Sequence, residues 1–81
     1  MNKYVNHYIL QENKIYTLIG AKVKSLRESK GMTQIQVADL CDYEKTTVSR
    51  IEAGRTNITV KTLYKLSHAL DVQMKELVDI E

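Results

Sequence analysis

The sequence predicts an all-α fold of five short helices, and three observations carry that reading. One helix-start pattern occurs four times: an apolar residue, a cap candidate, and a second apolar residue four positions after the cap. The instances are Met32-Thr33-Val37, Tyr43-Glu44-Val48, Ile58-Thr59-Leu63 and Val72-Gln73-Leu77. In this hydrophobic-staple spacing the residue before the cap packs on the fourth helical residue and sets how the chain enters the helix. Second, no stretch alternates apolar and polar residues long enough for a sheet core, and proline, phenylalanine and tryptophan are absent. Third, the helices opening near 34 and 45 are separated by only Cys41, Asp42 and Tyr43, which leaves room for a tight turn alone.

Taken in order, residues 1–14, MNKYVNHYILQENK, fit this plan least. Tyr4, Val5, Tyr8, Ile9 and Leu10 are apolar enough to bury, and disordered tails are usually poor in such residues. An N-terminal arm packing on its own body or on a second subunit is therefore expected, ahead of a folded unit at 15–81. A helix follows over roughly 17–30, where Ile19, Val23 and Leu26 keep i, i+4, i+7 spacing and Gly31 stands where a left-handed residue would stop it. Gly20 inside that helix costs about 1 kcal/mol against alanine, which implies a place near the helix start or under close packing. The remaining helices open near 34, 45, 60 and 74. Thr33 and Thr59 are good caps, Gln36 and Glu76 occupy capping-box positions, and Glu44 and Gln73 are poor caps by preference. Gly54 closes the third helix as Gly31 closes the first.

At 81 residues the chain makes one domain with a small core, so assembly is a live question. The formal net charge of +2 hides an asymmetry: residues 1–65 carry eleven Lys/Arg against six Asp/Glu, and residues 66–81 carry one against four. Such a split suits a body that approaches a polyanion, and it is also ordinary for a solvated surface. Cys41 is the one cysteine and has no disulfide partner. With no signal peptide or long apolar run, a cytoplasmic protein without membrane association is expected. His7 and His68 stand far apart with no further ligands at metal spacing, so no metal is expected. No nucleophile elbow, glycine-rich phosphate loop or paired carboxylates occur, so neither an enzyme nor a cofactor is expected.

The short turn, small Ala38, and apolar Val37, Cys41, Tyr43, Val48 and Ile51 meet the needs of two short helices crossing steeply, a helix-turn-helix. From Ile19 to Asp79 the chain resembles the Cro/C1-type, or XRE-like, helix-turn-helix family of phage repressor proteins. The stretches IGAKVKSLRESKGMTQIQVADLC, TTVSRIEAGR and TVKTLYKLSHALDV carry the resemblance over about three quarters of the chain. It implies a five-helix phage-repressor-like domain that binds double-stranded DNA, with the second helix of the motif in the major groove.

The residues agree with that implication. Lys45, Thr46, Ser49 and Arg50 share one helix side, while Val48, Ile51 and Glu52 share the other. Lysine, arginine and hydroxyl side chains can read base edges, so these four are the candidate base contacts. Thr47 is a candidate for phosphate or for the core edge. Gln34 corresponds to a phosphate-contacting glutamine of the phage repressors, and the resemblance places Arg55, Thr56 and Asn57 beside the DNA backbone. Glu52 faces the core and needs a partner. Arg27, one turn after Val23, is the natural candidate, and the resemblance implies the same structural ion pair. Two departures stand out: Asp42 where the motif's turn usually has glycine, and Glu44 where the family often has a serine or threonine cap.

Apolar residues near Val78 and Ile80 exceed what five small helices need, so a homodimer is expected. It would set two recognition helices about 34 Å apart on a palindromic operator. Controllers of restriction-modification operons and antitoxins of this fold share the size and layout. A repressor or autoregulator is the leading expectation. The competing one is an interaction module, such as an antitoxin, that binds a partner protein with DNA contact secondary.

Overall fold

The computed structural model describes residues 14–80, so the expected arm lies outside the described residues except for Lys14. Five helices make up this region: α1 (Lys14–Ser29), α2 (Gln34–Cys41), α3 (Lys45–Glu52), α4 (Val60–Leu70) and α5 (Met74–Leu77). No strand occurs among the described residues. The last four begin directly after Thr33, Glu44, Thr59 and Gln73, the cap candidates of the staple pattern. Thr33 Oγ1 accepts from the Gln36 amide at 3.1 Å, and Gln36 Oε1 accepts from the Thr33 amide at 2.8 Å, which closes a reciprocal capping box. Thr59 Oγ1 accepts from the Thr62 amide at 3.1 Å, whereas Glu44 makes no side-chain cap bond. At α5 the Glu76 carboxylate accepts from the Gln73 amide at 2.9 Å.

Four helices end by the same device. Gly31, Asp42, Gly54 and Asp71 are left-handed, with φ of 67°, 59°, 72° and 54°. In each case the next residue's amide reaches five residues back into the helix: Met32 to Arg27 O, Tyr43 to Ala38 O, Arg55 to Arg50 O and Val72 to Ser67 O, at 2.8–3.1 Å. This Schellman arrangement satisfies carbonyls that a helix end leaves open. It usually seats an apolar residue just after the left-handed one, and Met32, Tyr43 and Val72 do pack against the core. Arg55 breaks the pattern and is exposed.

The core joins Ile19 and Val23 of α1, Val37, Ala38 and Cys41 of α2, Val48 and Ile51 of α3, Leu66 and Leu70 of α4 and Leu77 of α5. Two details of α1 differ from the sequence reading. The helix begins three residues earlier than position 17, because Lys14, Ile15 and Tyr16 contain no breaker. Its buried stripe is Ile19, Gly20, Val23 and Arg27, while Leu26 is only half-buried, so a charged residue occupies the innermost place in the last turn. Gly20 lies against α3: a Cβ there would come within 2.7 Å of the Glu52 carbonyl oxygen and nearer still to that of Ile51. The glycine marks a close helix crossing. At the C-terminal end, Ile80 packs on the core while Val78 stays 47% exposed.

Candidate nucleic-acid interface

The turn between α2 and α3 comprises Asp42, Tyr43 and Glu44, since Cys41 is the last residue of α2. Asp42 adopts the left-handed conformation that glycine would otherwise supply, a geometry aspartate accepts more readily than most residues. Tyr43 is anchored on α4. Its hydroxyl lies 3.1 Å from Thr62 Oγ1, and Lys65 Nζ sits 4.8 Å from the ring centroid, at cation–π distance. The entry to α3 is thus held by side chains of a helix outside the motif.

Helix α3 has two faces. Val48 and Ile51 are fully buried and Glu52 is buried beside them, whereas Lys45, Thr46 and Arg50 are exposed and Thr47 and Ser49 are half-buried. The face carrying Lys45, Thr46 and Arg50 is polar, bears two cations, and takes no part in the core. Arg55 and Asn57 are exposed just beyond the helix, and Thr56 is half-buried with its hydroxyl donating to Asn57 O at a long 3.4 Å. Gly54 runs so close to α1 that a Cβ would meet Thr17 Cα at 2.6 Å, which fixes where this loop leaves the helix.

Behind the face lies a buried polar network. Arg27 Nε donates to Glu52 Oε2 at 2.6 Å and Arg27 Nη2 donates to Glu52 Oε1 at 3.0 Å, with side chains only 10% and 3% exposed. Arg27 Nη1 donates to Met32 O at 2.8 Å, tying the pair to the α1–α2 turn. The bond to Glu52 pushes the Arg27 guanidinium up from its ordinary value against the opposing effect of burial, so it stays charged. Gln34 Nε2 adds a third bond, donating to Glu52 Oε1 at 3.0 Å. No buried side-chain nitrogen or oxygen among the described residues lacks a partner. One carboxylate therefore links α1, the first residue of α2 and the last residue of α3. Sequence reasoning identified Gln34 but missed this bond. The available signal was the acceptor capacity of Glu52, which a two-pronged arginine does not exhaust.

The profile of the helix-turn-helix family matches residues 23–77. The chain belongs to this family. It is a DNA-binding transcription regulator of the Cro/C1, or XRE, type. The control protein C.BamHI of Bacillus amyloliquefaciens is 43% identical over 68 residues, spanning 83% of this chain and 84% of that protein. Among solved structures, the restriction-modification controller C.AhdI from Aeromonas hydrophila superposes with a TM-score of 0.75 at 31% identity, covering 76% of this chain and 94% of that one. The controller C.Esp1396I, solved as a tetramer on its natural 35-base-pair operator, has a TM-score of 0.69 at 27% identity, covering 80% and 96%. Among the described residues no helix is long and apolar enough to cross a membrane.

Proposed function

We propose that this helix-turn-helix regulator binds a palindromic operator in double-stranded DNA as a homodimer and controls transcription by occupying a promoter, as a repressor or autoregulator. The observation that carries the proposal is the division of α3, with Val48, Ile51 and Glu52 buried while Lys45, Thr46 and Arg50 stand exposed. In the major groove, Arg50 or Lys45 would pair with guanine O6 and N7, and Thr46 and Ser49 would donate to or accept from either base. Thr47, Gln34, Arg55, Thr56 and Asn57 would hold phosphates and fix register. Arg55 occupies a site where the other three helix ends pack a half-buried apolar residue against the core, so its exposed cation has no packing role to explain it.

Dimerisation follows from size and exposed surface. One motif reads too few bases to select a promoter, and a two-fold axis doubles the site. Val60 and Tyr64, one turn apart on α4, are 73% and 55% exposed, and with Val78 they give a second copy apolar surface to cover. C.Esp1396I, whose fold is similar, assembles as a tetramer on its operator. Control of a restriction-modification operon is the regulatory setting that the control-protein relatives suggest. The proposal has the protein act in the cytoplasm and assigns it no catalytic step.

The test is selection of bound sequences from a random duplex pool, followed by titration of the enriched duplex at two salt concentrations. Recovery of a palindrome with half-sites about one helical turn apart supports the proposal. Weak, salt-sensitive binding with no enrichment overturns it and points toward a protein partner.

A further inference from the structure

We propose that Glu52 is a positioning residue for DNA: it orients the Gln34 side chain so that the amide's second N–H points at a backbone phosphate. The inference rests on the reading of Gln34 as a phosphate contact, and it adds a reason why that contact is made by this side chain in this pose. A glutamine at a helix start is normally a mobile side chain whose rotamers must be frozen when it binds a ligand. Gln34 is instead half-buried and already held by Nε2 donating to Glu52 Oε1 at 3.0 Å. The amide group is planar and its nitrogen has two hydrogens. Fixing one on Glu52 fixes the direction of the other.

The charge arrangement makes this workable. A bare carboxylate near a phosphate would repel it, but Arg27 places two N–H groups on Glu52, at 2.6 Å and 3.0 Å, and neutralises it. Glu52 is also the last residue of α3, the helix with the outward Lys45, Thr46 and Arg50. The same carboxylate thus ties the proposed phosphate contact to the proposed base-reading helix. The register of the protein on the backbone and the angle of its reading helix are set together, with Arg27 Nη1 on Met32 O locking the start of α2 from the other side.

The experiment is a double-mutant cycle read in DNA affinity. Removing Glu52 alone would strand Arg27, so the pair is replaced together as Arg27→Met with Glu52→Leu, since apolar replacement of a buried ion pair is often neutral for stability. Affinities are measured by fluorescence anisotropy for the enriched duplex and for a scrambled duplex of equal length, at a temperature where melting curves show every variant folded. In the parent, Gln34→Ala is expected to weaken both duplexes about tenfold, or about 1.4 kcal/mol. The salt dependence should stay unchanged, because a neutral donor releases no counterion. In the apolar-pair background, affinity starts about tenfold lower and Gln34→Ala changes it less than twofold. A full tenfold loss from Gln34→Ala in that background overturns the positioning role while leaving the phosphate contact intact. No loss from Gln34→Ala in the parent removes the phosphate contact itself, and the positioning role with it. If the apolar pair does not fold, the Gln34 side-chain amide resonances of the parent decide. A nitrogen heteronuclear NOE at Gln34 Nε2 as high as that of the helical backbone in the DNA-free protein supports the proposal, and one reduced to the level of a mobile surface side chain refutes it.

Discussion

Replacing Gly20 with alanine sets helix propensity against tertiary packing, and the two give opposite signs. Gly20 lies in the interior of α1 with an ordinary helical backbone, so propensity alone predicts that alanine stabilises the protein by about 1 kcal/mol. Packing predicts the reverse. A Cβ at Gly20 would stand 2.7 Å from the Glu52 carbonyl oxygen, 2.9 Å from the Glu52 carbonyl carbon, and closer still to the Ile51 carbonyl oxygen. All three are backbone atoms, which cannot rotate away as a side chain can. Relief requires α3 to move off α1 against Val48, Ile51 and the Arg27–Glu52 pair, and overpacking of this sort costs about 2–3 kcal/mol. After the propensity gain the net loss is about 1–2 kcal/mol, or about 5–15 °C in Tm for a domain of this size. The assay is thermal melting by circular dichroism with a urea titration, where the midpoint should fall at unchanged slope. Because α3 carries the proposed base contacts, DNA affinity should fall as well. A Gly20→Ala protein that melts at or above the parent would refute the close crossing as the reason for glycine.

Arg27→Ala leaves Glu52 with Gln34 as its remaining side-chain partner and should cost about 3–5 kcal/mol, a large part of the roughly 4–12 kcal/mol expected for such a chain. Urea unfolding measures it, and a midpoint equal to the parent's would show that the pair is not structurally coupled. Arg50→Ala should cost about 1–3 kcal/mol on the enriched duplex and relax preference at one base position, whereas Arg55→Ala should weaken all duplexes alike and lower the salt slope by about one. Equal losses from both on every sequence would make Arg50 a phosphate contact. Burial pushes the Cys41 thiol up from its ordinary value of 9.0, with Lys65 opposing. The folded state then holds its proton where the unfolded chain has lost one, so this group's contribution to stability falls as pH rises above about 9, by at most about 1.4 kcal/mol per unit. Unfolding of Cys41→Ala, compared with the parent from pH 8 to 10, should lack that slope component. Dithionitrobenzoate should label the parent only as fast as it unfolds.

Local rules made much of the fold legible. The cap and the staple lie within six residues of each other, so the starts of α2, α3, α4 and α5 could be read from four short segments, and each falls directly after its cap candidate. The two faces of α3 were legible for the same reason, since helical spacing alone separates Lys45, Thr46 and Arg50 from Val48 and Ile51. The pairing of Arg27 with Glu52, 25 residues apart, came from resemblance to a family and from the need of a buried carboxylate for a partner.

Other features depend on contacts between elements distant in sequence. Gly20 has no local signature that separates a helix start from a close crossing; the carbonyls of Ile51 and Glu52 decide it. Asp71 looks like an ordinary surface aspartate until its φ of 54° repeats the helix ending made by Asp42. Tyr43 fits a staple, but its anchoring by Thr62 and Lys65 exists only because α4 packs across the turn. Gln34 reads as a phosphate contact through the resemblance, and its bond to Glu52, 18 residues away, forms only because α2 and α3 fold back on each other. Periodicity and caps act over a few residues and are written in the chain, whereas the angle between helices and the partners of buried charges are set only when the helices meet.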